Sequence, residues 1–286
     1  MQEQASLTCY PRSMTKIASY NIMSGGFNSH SSETPSPERL PQLQDAIKEI
    51  SADIVGLVDT FRWDELYSDE QLAALFSYKY AHNINLNDAR LREIGHNNGI
   101  AILSNVEING WQTISLGSRD ALLAKCIIAG AEVTIIVAYL DDESEDVRLQ
   151  QITALDPYLQ ANTPLILLGD LNTVAPGDVA ATKRRLAPFY NQNPAIAQKL
   201  TPIIDDMQRG EVIMQLEMKG LQDAGAARAQ PTIPSPLFPA PTDQPLLRLD
   251  YCLHTPGLVV DNFTVLRGQT FDAASDHYPI VFDLSQ

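Results

Sequence analysis

The sequence predicts an α/β (α+β) fold in which two mixed β-sheets pack face to face with helices outside. Three observations lead there. Short, uniformly apolar runs within residues 53–59, 99–104 and 165–168 need cover on both faces. Strand-like runs follow one another in hairpin succession, with helical periods interspersed in each half and no strict alternation. The 286 residues, 44% of them hydrophobic, suffice to bury a large core.

Taken in order, residues 16–21 read as a first strand ending on the amide of Asn21, followed by the turn Ser24-Gly25-Gly26 and a Ser/Pro-rich loop through Pro37. Leu40, Leu43, Ile47 and Ile50 recur at helical spacing, and residues 53–59 form a second buried strand ending on Asp59. One helix is expected over 64–76, an edge-like strand through Tyr78, Tyr80, His82 and Ile84, and a polar loop over 85–98. A third buried strand spans 99–104, with further strands at 122–128 and 133–140. Leu149, Ile152, Leu155 and Leu159 mark a helix leading into the strand 165–168, which delivers Asp170 and Asn172 at its end. Beyond it come helices near 179–186 and 195–207, the latter interrupted by Pro202, then a Pro-rich loop over 231–245. Strands at 247–254, 258–266 and 279–284 complete the chain. Residues 1–15 are expected to be a loose tail and 16–286 a single domain.

Composition narrows the chemistry. A formal charge of −15 supplies no net positive field for phosphate backbones. Cys9, Cys126 and Cys252 are widely spaced and odd in number, which suits neither a disulfide framework nor a zinc knuckle and points to a reducing, cytoplasmic setting. No signal-like or membrane-spanning apolar run is present in the sequence. A Gly-rich nucleotide loop, a Gly-x-Ser-x-Gly elbow and a His-Glu-x-x-His pair are all missing.

What gathers at strand ends instead is Asn21, Asp59, Tyr139, Asp170, Asn172, Asp250, Asp276 and His277. Their oxygen-rich side chains suit a hard cation such as Mg²⁺ or Mn²⁺. For Asp170 and Asn172 alone, an ordinary turn is an equally good explanation.

The ordered series Ser19-Tyr20-Asn21, residues 53–59 (DIVGLVD), residues 99–104 (GIAILS), Gly169-Asp170-Leu171-Asn172, Arg248-Leu249-Asp250-Tyr251 and Ser275-Asp276-His277-Tyr278-Pro279-Ile280 resembles the endonuclease/exonuclease/phosphatase superfamily. The resemblance covers nearly the whole chain after residue 15. It implies a four-layer α/β sandwich and divalent-metal-dependent cleavage of phosphoesters. It places Asn21, Asp59 and Asp276 at the metal, and makes Asp170 the group that orients and deprotonates water, with Asn172 holding nucleophile and phosphate. Asp250 and His277 become a carboxylate-imidazole pair facing the phosphate, and Tyr139 a donor to it.

Two positions depart from the family pattern. Asp59 stands where Glu is usual, with Glu65 as a substitute ligand to consider, and Tyr139 stands where many members carry His, although the abasic-site endonuclease branch also has Tyr. His30, His96 and His254 have no comparable context. Asn98 reads as a turn residue, and Arg148 and Gln151 as braces of the fold. The leading expectation is a phosphodiesterase acting on a small or lipid-derived phosphoester by direct water attack. A repair-type DNA nuclease is the alternative, and a catalytically weakened binding or scaffold protein a further one. No protein partner is inferable.

Overall fold

The computed structural model describes residues 14–30, 34–160, 163–238, 242 and 244–285. In chain order the first half contains β1 (Thr15–Asn21), α1 (Leu40–Ile50), β2 (Ile54–Val58), α2 (Trp63–Leu66), α3 (Asp69–Phe76), β3 (Tyr80–Asn85), α4 (Ala89–Glu93), β4 (Gly99–Ser104), β5 (Ile108–Ser115), β6 (Asp120–Ile128) and β7 (Ala131–Tyr139). The second half contains α5 (Glu145–Ala154), β8 (Leu165–Asp170), α6 (Val179–Gln192), α7 (Pro194–Met207), α8 (Glu211–Met218), β9 (Gln222–Asp223), β10 (Asp250–His254), β11 (Val259–Val265), α9 (Gln269–Asp272) and β12 (Ile280–Ser285). The expected loose tail and Cys9 fall mainly outside the described residues, although Thr15 already belongs to β1.

Two six-stranded mixed sheets result, ordered β11-β12-β1-β2-β4-β3 and β5-β6-β7-β8-β10-β9. In the first, β1 and β2 are parallel and β12 lies antiparallel to β1. The second repeats this arrangement: β7 and β8 are parallel, and β10 is antiparallel to β8. In each sheet, therefore, the ends of two strands and the start of a third point the same way.

Between the sheets, Ile17, Ile54 and Val58 share one apolar cluster with Val137, Ile166, Leu168 and Cys252. Gly56 marks a close approach, because a Cβ there would sit 2.3 Å from Leu168 Cδ1. Outside the first sheet, α1 and α3 add Leu43, Ile47, Leu72 and Phe76 to that same cluster. Outside the second, Ile136, Leu165 and Leu253 pack with Ile152, Val212 and Leu216 of α5 and α8. Sheets inside and helices outside fit the uniformly apolar strands, which need cover on both faces.

Several elements differ from the sequence expectation. The single helix over 64–76 is two, because Ser68 caps α3 with a reciprocal capping box to Gln71. The 85–98 loop contains α4, capped by the Asp88 carboxylate on the N–H groups of Arg90 and Leu91. β5, an edge strand with mostly unburied side chains, lacks the apolar alternation that reveals strands. Pro188 and Pro202 lie inside α6 and α7 at exposed positions, where water can satisfy the carbonyls they leave unpaired. Among the described residues, no helix is long and apolar enough to cross a membrane.

Candidate active site

The parallel pairs set the site. Asn21 ends β1 and Asp59 directly follows β2, while Asp276 and His277 precede β12 on the same side of the first sheet. From the second sheet, Tyr139 ends β7 opposite Asp170 at the end of β8, and Asp250 opens β10 opposite Asp170 on its other side. The strand ends of both sheets meet here, joined by Asn21 Nδ2, which donates to Asp170 Oδ2 at 3.0 Å.

Asp170 is buried, and its second oxygen accepts the Asn172 N–H at 3.0 Å. Asn172 takes a left-handed φ of 50° and anchors its side chain by donating Nδ2 to Leu140 O at 3.0 Å. Asn tolerates that backbone better than most residues, so the turn aims both residues at one point. The turn expected of Asp170 and Asn172 is present, and it sets both side chains at the end of β8.

His277 Nδ1 lies 2.8 Å from Asp250 Oδ2, and its Nε2 lies 3.7 Å from Asp170 Oδ2. Burial opposes charge on this imidazole, but Asp250, Asp170 and Asp276 around it push its pKa up to about 10. Burial and the neighbouring Asp250 charge push Asp170 the other way from an ordinary carboxylate, up to about 7. One ligand atom from each of Asp170, Asp250 and His277 falls within 4.8 Å of the others, a grouping that can hold a metal. The hydrogen bond between His277 and Asp250 makes this a proton-holding arrangement in the metal-free protein. Ser275 holds the segment in place, donating Oγ to Asn21 O at 2.7 Å and accepting the His277 N–H at 3.2 Å.

A second acidic group lies beside the first. Asp59 has φ 62°, accepts the Ser24 N–H on Oδ2 at 2.8 Å, and leaves buried Oδ1 without a hydrogen bond among the described residues. The left-handed backbone accounts for Asp in place of Glu, since Asp is enriched there. Burial and the Asp59 charge raise the Asp276 carboxyl above its ordinary value. Asp59 Oδ1, its nearest charged neighbour being His30, thus shares this corner with a second carboxyl that resists ionisation, and oxygen donors of this kind suit a hard cation. Glu65 instead faces solvent and pairs with Arg62 and Asn97.

Tyr139 is half-buried, with the Arg119 guanidinium 4.9 Å above its ring. Burial and the surrounding carboxylates raise its phenol well above the ordinary value, so it keeps its proton and can donate it in a hydrogen bond. Arg119 itself is buried against Asp88 at 2.8 Å and Asp142 at 2.6 Å. Arg148 is bound to Glu145 and Asp206, and Gln151 accepts the Asp141 N–H, bracing the chain after β7.

Two neighbours escape sequence reading. His30 Nε2 lies 3.5 Å from Asp59 Oδ1, and the His30 ring stacks on His96 at 4.6 Å. Asp59 raises the His30 pKa against the opposing effect of burial. Asn98, taken as a turn residue, is buried with its Oδ1 lacking a hydrogen bond among the described residues. Its place is discoverable from pairing alone: β4 runs antiparallel to β2, with Ile100 opposite Val58, so the start of β4 lies beside Asp59. His30 has no such signal, because only the return of a long loop brings it there.

Beside Asp170, Asn172 and His277 opens a cavity of about 380 Å³. Its far wall comes from a third apolar cluster, built on α6, α7 and the segment around Ile233 and Leu247. Part of the Pro-rich loop expected over 231–245 therefore borders the site, while residues 239–241 and 243 lie outside the described residues.

Several solved structures share this architecture. An endonuclease/exonuclease/phosphatase from Beutenbergia cavernae superposes with a TM-score of 0.65 at 18% identity, covering 96% of this chain and 72% of the other. A mannosyl-6-phosphatase of Bacteroides thetaiotaomicron gives 0.62 at 16% identity, covering 95% and 100%. An AP endonuclease of Archaeoglobus fulgidus gives 0.60 at 19% identity, covering 94% and 98%. No curated protein matches in sequence. The sequence model of the Endonuclease/Exonuclease/phosphatase family matches residues 18–277, spanning every site residue from Asn21 to His277. The chain belongs to the endonuclease/exonuclease/phosphatase family.

Proposed function

We propose that this protein is a divalent-metal-dependent phosphoester hydrolase, most simply a phosphodiesterase, in which water attacks phosphorus directly. The observation that supports it best is the linked set Asn21, Asp170, His277 and Asp250, set at the joined strand ends.

Asp59 and Asp276 are the residues that would hold Mg²⁺ or Mn²⁺. Asn21 is the third, because its Oδ1 keeps a lone pair beyond the one used by the Met23 N–H. A bound ion supplies charge to offset the anionic phosphoryl oxygens. Asp170, ionised, orients a water molecule and accepts its proton, and the raised pKa makes it a better base than an ordinary carboxylate. Asn172 helps hold water and phosphate in line. Asp250 fixes the orientation of His277 and keeps it protonated, so that the imidazolium meets the developing charge on phosphorus-bound oxygen. Tyr139 donates to the same group of oxygens. Water adds to phosphorus, one P–O ester bond breaks, and the products are a monoester and an alcohol.

The acidity around the site favours a small or lipid-derived diester over nucleic acid. A repair-type nuclease is the second reading, favoured by Tyr139 and by the likeness to the A. fulgidus AP endonuclease. A cytoplasmic, reducing setting belongs to the proposal, supported by the buried free thiols of Cys126 and Cys252. Hydrolysis of bis-p-nitrophenyl phosphate with Mg²⁺ or Mn²⁺, lost in Asp170→Asn and His277→Ala, is the expected result. Absence of turnover with any divalent ion would overturn the reading in favour of a binding or scaffold role. Efficient, salt-sensitive cleavage of abasic-site DNA without small-diester activity would favour the nuclease.

A further inference from the structure

We propose that the cavity beside Asp170 and His277 is a subsite for an unbranched aliphatic chain carried on one ester arm of the substrate. The inference rests on the phosphodiesterase reading and names the group that reading leaves open.

One cavity is walled by the reacting residues on one side and by the third apolar cluster on the other. Whatever fills the apolar part is therefore within covalent reach of a phosphate held at His277. On α7, Leu200, Ile203, Ile204 and Met207 follow the i, i+3, i+4, i+7 spacing of a single helical face, and all four line the cavity. Leu200 and Ile203 are only partly buried, so the fold keeps apolar side chains open toward the site. Exposed apolar surface of this kind is stabilised by an apolar occupant.

Charge and hydrogen bonding exclude the competing arms. Among the described residues no Lys or Arg lines the cavity, and its charged members are carboxylates apart from His277, so a second phosphate finds no counter-charge there. A sugar or base would bring polar atoms against aliphatic side chains and leave them unsatisfied. The volume of about 380 Å³ lies within the range of small-molecule sites.

The test is a series of methyl, butyl and octyl 4-nitrophenyl phosphates, kept below micellar concentration with Mn²⁺. Total turnover is read as nitrophenolate plus 4-nitrophenyl phosphate, so that either arm can leave. The expected result is a rise in kcat/KM of about three- to fourfold per added methylene until the cavity is filled. Ile203→Trp, which narrows the cavity, should lower the octyl-to-methyl ratio. Leu200→Asn, at a partly exposed position, serves as a second variant with circular dichroism as the folding check. Turnover of all three esters without chain-length dependence would overturn this inference and leave the phosphodiesterase reading intact. Calorimetry with octyl phosphate against methyl phosphate examines the cavity without turnover: tighter octyl binding supports the subsite, and equal binding overturns it.

Discussion

Asp170→Asn should sharply slow the reaction and at the same time stabilise the fold above neutral pH. In the metal-free protein the Asp170 carboxyl is raised from 3.8 to about 7, so the folded chain holds a proton there that the unfolded chain releases. A folded pKa above the unfolded one gives stability that is present below pH 3.8 and lost as pH rises through about 7. At 1.36 kcal/mol per pKa unit, the cost of the ionised group reaches a ceiling of about 4 kcal/mol. Asn removes that cost but cannot copy every contact. The two oxygens accept from Asn21 Nδ2 and the Asn172 N–H, so an amide must turn its NH₂ toward a donor, forfeiting about 1 kcal/mol. A net gain of about 2–3 kcal/mol remains, or roughly 4–6 °C in Tm for a chain of this size. Thermal unfolding in EDTA at pH 8.5 and pH 5 measures it, with the gain shrinking at the lower pH. Loss of a general base should reduce the rate by about 10²–10⁴-fold. A variant that melts below the native protein at pH 8.5, or differs from it equally at both pH values, would refute the reasoning.

Asp250→Asn removes the main group holding the His277 proton, so the alkaline limb of the pH-rate profile should move acidward and kcat fall by about 10- to 100-fold; an unmoved limb contradicts the pairing. Asp59→Asn should weaken Mn²⁺ binding, read by calorimetry, by at least about tenfold, equivalent to 1.4 kcal/mol; unchanged affinity would remove Asp59 from the metal. Gly169→Ala places a Cβ 1.9 Å from Ala138 O at a φ of 137°, so the urea midpoint should report a loss of more than about 3 kcal/mol. A midpoint equal to the native one would mean that β7 and β8 can part without cost.

Much of this was visible in the sequence because the candidate site side chains here terminate apolar runs. Asn21, Asp59 and Asp170 each follow a buried strand, and the order in which Asp250 and His277 appear separates a site from a set of turns. The Asp59 departure became intelligible only with its backbone angle, a property that residue order does not carry. His30 reaches Asp59 through tertiary folding of a loop, so local periodicity has nothing to say about it. The apolar cavity was hidden for a related reason. Periodicity reveals that α7 has an apolar face, but not whether another element covers it. β5 and the prolines inside α6 and α7 were obscure because solvent exposure relaxes the rules that buried elements must obey.

The hydrogen bond from Asn21 to Asp170 spans the gap between the two sheets, and that makes the candidate site a caliper for the thickness of the sandwich. The same gap is closed at its centre where Gly56 admits Leu168 and Val137. A methyl group added there has no reacting atom nearby, yet it wedges the jaws that hold Asn21 against Asp170. Interior volume in this protein is thereby tied to the alignment of Asn21 with Asp170, and under the proposed function small core substitutions should register as changes in rate before they register as unfolding.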